Sequence, residues 1–256
     1  MGDRQVANTI VLGTRCFVGD LECASEHVIE RVRTGNGGYV CQANAHVLVL
    51  ACHDDDVRRA LDAAWVVHPD GWPVSWLARR LGASEARRIA GAELMTRLLE
   101  LGAPLGLRHY LFGSTPDVIQ RLQNSLAARH PRAEIVGAAS PPFGEMLDEQ
   151  AHQDVETTRA AAPDIVWCAL GAPKQELWMS RYATLLAPAV VIGVGAAFDF
   201  HAGTKPRAPE WMQTSGLEWA HRFMSEPRRL AGRYMRTNSE FILRGAIEIV
   251  SARRPT

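Results

Sequence analysis

One apolar run that ends in glycine and proline and then turns polar constrains this chain more than any other stretch. Asp164-Ile-Val-Trp-Cys-Ala-Leu-Gly-Ala-Pro-Lys-Gln-Glu-Leu-Trp178 reads as strand, tight turn and helix. The run from Asp164 to Leu170 suits a strand buried on both faces of a parallel sheet, and Gly171 turns the backbone without a Cβ clash. Pro173 fits a first helical turn, where its missing N–H is no loss. Lys174, Gln175 and Glu176 are then presented at a helix N-terminus beside the carboxyl end of a strand. Open α/β sheets bind ligands at that edge.

The flanking sequence repeats the alternation. Strands are expected at 39–42, 65–68, 107–112, 133–136 and 189–194, after a β-rich opening at 9–17. Helices are expected at 23–33, 44–52, 73–81, 91–101, 115–129, 147–161 and 174–186, with a further one capped within His53-Asp-Asp-Asp56. This pattern predicts an α/β fold, a parallel-type sheet flanked by helices on both faces, Rossmann-like in layout. Residues 198–209 read as loop, and the remainder is helical and rich in arginine. The expected division is an α/β catalytic domain over 1–206 and a helical C-terminal appendage over 207–256.

With 28 basic and 28 acidic residues, the chain carries no global charge that points to nucleic acid. The apolar stretch 185–198 is broken by Pro188 and two glycines and is too short to span a bilayer. No basic flank with an apolar h-region opens the sequence, so no signal peptide is expected. The five cysteines form no CxxC pair, as suits reduced thiols in the cytoplasm.

Four predicted strand ends carry glycine: Pro69-Asp70-Gly71, Phe112-Gly113-Ser114, Leu170-Gly171-Ala172 and Val194-Gly195-Ala196. In a parallel sheet they share one edge, where helix N-termini favour a phosphate-bearing ligand, although βα turns use glycine for its own sake too. Asp70 fits two roles equally, a general base at that edge or the N-cap of the next helix. Gln175 suits orienting a substrate hydroxyl or phosphate. Asp54-Asp55-Asp56 has the DxD spacing of some metal-dependent sugar transferases, but it precedes a helix as a cap would, and no metal is expected. Gly193-Val-Gly-Ala-Ala-Phe198 begins like a dinucleotide fingerprint, yet Phe198 replaces the last glycine, and Asp199, Gly203 and Pro206 oppose the required helix. No HExxH or GxSxG is present, and His46, His53 and His68 read as structural or surface residues. Between 222 and 236 lie Arg222, Arg228, Arg229, Arg233 and Arg236 against the single acid Glu226. This patch suits a diphosphate, an anionic membrane or RNA, or is simply a solvated face.

Taken together, Asn44, Pro69-Asp70-Gly71, Arg88-Ile-Ala-Gly91, Leu170-Gly-Ala-Pro-Lys-Gln-Glu176, Gly193 to Gly203, Arg207-Ala-Pro-Glu-Trp211 and Gly216-Leu-Glu-Trp219 resemble, in order, the WecG/TagA/CpsF glycosyltransferases. The resemblance implies inverting transfer of a hexose, amino sugar or uronic acid from a UDP-sugar to a polyprenyl-diphosphate-linked saccharide, without a metal. The setting it implies is cell-surface polysaccharide biosynthesis, with a cytoplasmic protein held peripherally at the inner face of the membrane. It makes Asp70 the catalytic base, places Arg88 and Gln175 around the substrate's phosphates and sugar, and makes Asn44 an active-site residue. Gln42, Gly71, Gly113, Gly171, Lys174, Gly195 and Asp199 fall to nucleotide and substrate binding. Arg222, Arg229 and Arg233 fall to the lipid diphosphate, on an appendage that closes the site. Gln42 stands where the family usually has threonine, Glu93 where aspartate is common and Gly232 where a basic residue often occurs, so N-acetylmannosamine is not carried over as the sugar. A homo-oligomer is left open. Two other classes compete: a nicotinamide-dependent oxidoreductase, disfavoured by the missing fingerprint, and an arginine-tailed RNA-binding module, disfavoured by the neutral body.

Overall fold

The computed structural model describes residues 7–142, 148–209, 212 and 227–252. Strands β1 (Asn8–Val11) and β2 (Thr14–Phe17) form an antiparallel hairpin. The main sheet is built from β3 (Gly38–Ala43), β4 (Val66–Pro69), β5 (Arg108–Gly113), β6 (Glu134–Ala139), β7 (Ile165–Ala169) and β8 (Val190–Gly193). Its order is β4-β3-β8-β7-β5-β6, and every neighbouring pair is parallel. This is the expected α/β layout. The carboxyl ends of all six strands therefore lie along one edge.

Helices cover both faces, as the near-continuous apolar strands require. On one side α1 (Leu21–Arg33), α5 (Gly91–Gly102), α6 (Pro116–Arg129) and α9 (Ala197–Ala202) pack on Val40, Leu111, Trp167 and Ile192. On the other, α2 (Ala45–Ala51), α3 (Asp55–Asp62), α4 (Trp72–Arg80), α7 (Asp148–Ala160) and α8 (Lys174–Tyr182) pack on Cys41, Phe112, Val166 and Val191. Trp178 of α8 stacks on Phe112 with ring centroids 4.4 Å apart, which fixes α8 against the sheet.

Helix α10 (Pro227–Ala252) docks on this body through its C-terminal half. Phe241 is buried there, and Gly245 lets the helix approach α4 so closely that a Cβ would lie 2.9 Å from Leu77. Glu240 meets His53 at 2.5 Å and Arg244 at 2.6 Å, and Glu248 accepts a hydrogen bond from the Leu12 N–H at 3.0 Å. Among the described residues no helix is long and apolar enough to cross a membrane.

Two local expectations need correction. Residues 197–202, expected as the start of a loop, form α9, because Phe198 is buried and pins the segment to the core. The fingerprint-like segment thus does enter a helix, but Gly203 in the left-handed conformation (φ 70°) stops it within two turns. Pro173 is the N-cap of α8 rather than a residue of its first turn.

Gly113 shows how tightly the sheet edge is built. Its φ is 117°, and a Cβ would lie 2.6 Å from the Ala169 carbonyl carbon on β7. Gly113→Ala is therefore expected to destabilise the fold by about 2 kcal/mol or more, because strain and overlap with rigid backbone add. Gly106→Ala, also at positive φ but with nothing within 4 Å, is expected to cost only about 1–2 kcal/mol. Urea unfolding of both variants checks the ranking, which equal losses would contradict.

Candidate active site

The shared edge of the sheet opens into a cleft of about 1810 Å³, whose walls come from the β3, β4, β5, β7 and β8 ends and from α10. Gln42, Asn44, Asp70, Gly71, Gly171, Lys174, Gln175, Gly195 and Asp199 all line it. Residues far apart in sequence are thus gathered as the parallel sheet predicted.

Asp70 follows β4, and its N–H donates to the Ala43 carbonyl at 3.0 Å. Of the two roles open to it, the capping role is not taken. The N-cap of α4 is Gly71 at φ 93°, with no side-chain cap hydrogen bond. Asn44 is the N-cap of α2, its Oδ1 accepting from the Val47 N–H at 3.2 Å, so its amide is held at the cleft wall. Asp54 caps α3 through the Asp56 and Val57 N–H groups, and the acidic triplet does not line the cleft.

Lys174 and Gln175 open α8. The Gln175 Oε1 accepts from the Gly195 N–H at 3.1 Å, and its Nε2 donates to Glu176 at 2.8 Å. Gly193 has to lack a side chain here, since a Cβ would lie 3.1 Å from the Gln175 Nε2 and 2.7 Å from Met179. Glu176 is fully buried, and burial pushes its carboxyl up from the usual value of 4.5 to about 7, a rise that the Gln175 hydrogen bond partly opposes.

On the other face of β3, Gln42 shares a hydrogen bond of 3.2 Å with the Nδ1 of His68, its register partner on β4. Burial pushes His68 down to about 3, so the ring is neutral. A neutral Nδ1 that accepts from the Gln42 Nε2 leaves the Gln42 Oε1 without a hydrogen-bond partner among the described residues.

A cationic group occupies one end of the cleft. Glu93 joins Arg88 (2.5 Å) and Arg207 (2.7 Å), and Lys205 lies 3.4 Å from Asp199, which also accepts from the Thr204 hydroxyl at 3.2 Å. Arg207 and Lys205 line the cleft, whereas Arg88, expected at the substrate, does not and is tied to Arg207 through Glu93. The cleft also has an apolar lining, which includes Trp72 and Trp76, stacked 5.9 Å apart, and Phe241, Ile242 and Ile249 of α10.

Gly113 stands apart from the expected ligand contacts, since it packs on Ala169 and does not line the cleft. Its neighbour Ser114 does, in the left-handed conformation at φ 60°, with its N–H donating to the Ala169 carbonyl. Arg222 lies outside the described residues, as do the side chains of Arg229 and Arg233 on α10. Glu176, expected at the ligand edge with Lys174 and Gln175, is buried and does not line the cleft, whereas the places of Arg207 and Lys205 in it were missed from sequence. The available signal was the basic pair on either side of Pro206.

A cleft at the carboxyl edge of a parallel sheet, lined by Lys174, Lys205, Arg207 and Asp70 together with aromatic and aliphatic side chains, is the ligand-binding edge of an α/β enzyme. Comparison of sequences gives the class a family. The chain belongs to the glycosyl transferase WecG/TagA/CpsF family, whose model matches residues 9–255. It is 31% identical over 193 residues to the N-acetylglucosaminyldiphosphoundecaprenol N-acetyl-beta-D-mannosaminyltransferase of Bacillus subtilis (strain 168), covering 75% of this chain and 73% of that protein. A protein of the same name from Bacillus spizizenii (strain ATCC 23059 / NRRL B-14472 / W23) is 30% identical over the same length and shares. The chain is thus a glycosyltransferase, and the oxidoreductase and RNA-binding alternatives fall away.

The buried Glu176 carries a pH signature. Its folded value near 7 lies above the ordinary 4.5, so the folded state binds the extra proton and stability falls as pH rises between these values. Glu176→Gln is expected to melt with the wild type near pH 4 and progressively above it toward pH 8. Melting curves across that range check this, and a constant difference would contradict it.

Proposed function

We propose that this glycosyltransferase moves a hexose, amino sugar or uronic acid from a UDP-sugar to a polyprenyl-diphosphate-linked saccharide, with inversion at the anomeric carbon and without a metal ion. The observation that carries the reading is Asp70, a carboxylate at the cleft that does not serve as the α4 cap. In the reaction, Asp70 accepts the proton of the acceptor hydroxyl as its oxygen attacks the anomeric carbon. The bond to the UDP phosphate oxygen breaks on the opposite side of that carbon.

Leaving-group charge develops on the diphosphate as that bond breaks. Lys174, the N-terminus of α8, Lys205 and Arg207 offer donors and positive charge for it, with Arg88 linked to Arg207 through Glu93. Asp199 and Gly195 border the nucleotide, Gln175 holds the sugar or its phosphate, and Gln42 and Asn44 read sugar hydroxyls. The Bacillus relatives are named for an acceptor that is an undecaprenol diphosphate sugar. A long isoprenoid suits the apolar wall of Trp72, Trp76 and α10, and a lipid-borne acceptor suits a protein that works at the inner membrane face. Arg222, Arg229 and Arg233 are assigned to the lipid diphosphate, within an appendage over 207–256 that closes on the bound substrates and excludes water.

Asp70→Asn is expected to lower kcat by ~10²- to 10⁴-fold with UDP affinity kept, as loss of a general base does. Radiolabelled transfer from a UDP-sugar panel to a synthetic prenyl-diphosphate saccharide, with and without EDTA, measures it. Unchanged turnover would remove Asp70 from the role, and abolition by EDTA would contradict the metal-independent route. Arg229→Ala and Arg233→Ala are expected to raise the acceptor KM while the affinity for UDP, followed by calorimetry, stays constant.

A further inference from the structure

We infer that Glu176 is a positioning residue that locks the Gln175 amide into one orientation, so that Gln175 meets the substrate as a hydrogen-bond donor. The inference rests on the proposed transfer reaction for its kinetic consequence but not for its structural one.

The Gln175 amide has two partners that admit a single assignment. The Gly195 N–H can only donate, so the atom 3.1 Å away is the Gln175 oxygen. With the oxygen fixed there, the atom 2.8 Å from the Glu176 Oε1 is the Gln175 nitrogen, which donates to that oxygen whether the carboxyl is charged or carries its proton on Oε2. With the oxygen engaged by the backbone of one strand end and one N–H by Glu176, the second N–H is left for the cleft that Gln175 lines. An isolated glutamine turns its amide over freely. Here rotation would set N–H against N–H at Gly195 and oxygen against oxygen at Glu176.

Folding alone gives no reason for a carboxyl at this position. Glu176 is fully buried, and no ion pair to it is found among the described residues. Its Oε2 has no hydrogen-bond partner there. The titratable groups that face it are the buried thiols of Cys41 on β3 and Cys168 on β7, both held neutral by burial. A buried carboxyl in such surroundings lowers stability, and an apolar side chain of similar volume is usually tolerated or better. What the carboxyl supplies that an apolar group cannot is the acceptor that orients Gln175. Favourable placement in the first turn of α8 offsets part of the penalty.

The test uses the full chain with Glu176→Leu and Glu176→Gln, each alone and combined with Gln175→Ala. Two readouts are followed: kcat with a UDP-sugar donor, and amide hydrogen exchange at Gly195 without substrate. Glu176→Leu is expected to melt no lower than the wild type at pH 8, to lose kcat by ~10-fold or more, and to speed Gly195 exchange. Glu176→Gln keeps one acceptor oxygen and is expected to fall between the two in both readouts, which carries the test if the leucine variant does not fold. In the Gln175→Ala background the Glu176 substitutions are expected to add nothing. Full kcat and unchanged Gly195 exchange in both Glu176 variants would overturn the inference, as would effects that multiply with Gln175→Ala. A chain inactive on every UDP-sugar that still shows the faster Gly195 exchange would overturn the donor assignment while supporting the positioning role.

Discussion

Parallel pairing of the six sheet strands is the constraint on which everything else in this molecule depends. Each strand pairs with neighbours that run the same way, so every connection has to cross back over a face. Every strand then delivers its carboxyl end to the same edge, where the next helix begins. Gln42, Asp70, Ser114, Gln175 and Gly195 are separated by up to most of the chain, yet they line one cleft because of this alone. An antiparallel pairing of β7 with β8 would carry Gln175 and Gly195 to opposite ends of the sheet. Their hydrogen bond of 3.1 Å is a direct product of the topology.

The chemistry of the cleft divides in the same way as the substrate assigned to it. Cationic side chains of the segment after α9 are held by acids, Arg207 with Arg88 by Glu93 and Lys205 by Asp199. Such pairs keep like charges from separating before an anion arrives. The lining is otherwise aromatic and aliphatic in part, with Phe241, Ile242 and Ile249 supplied by α10. Gly245 over Leu77, Glu240 with His53, and Glu248 with the Leu12 backbone tie that helix to the body. In the proposed reaction the cationic side chains serve the diphosphate and the apolar ones the isoprenoid, with Asp70 as the base in the same cleft.

Much of this was legible in the sequence because it rests on local rules. Apolar runs of strand length, glycine at their ends and the cap within His53-Asp-Asp-Asp56, which the structure places at Asp54, located the elements and the active edge. The motifs named the family that the comparison of whole sequences then gave. What escaped was set by contacts between distant residues. Helix α9 forms in a segment that reads as loop because tertiary burial of Phe198 outweighs the breakers that follow it. The choice between capping and cleft for Asp70 depended on the backbone of Gly71, and spacing does not encode it. Nor could the sequence tell that Glu176 lies under the sheet while its neighbour Gln175 reaches the cleft, since both stand in one helical turn. Gly113 was read as a ligand contact because its place at a strand end matched three others, and only the approach of Ala169 separates it from them.

The central claim is a single displacement in which Asp70 activates the acceptor on the face opposite the leaving diphosphate. Its most direct test is the anomeric configuration of the newly formed linkage, read by proton NMR on product made from an α-configured UDP-sugar and a synthetic polyprenyl-diphosphate saccharide. The account predicts a β linkage. An α linkage would mean retention, and with it a double displacement or a front-face attack that this account of Asp70 does not provide.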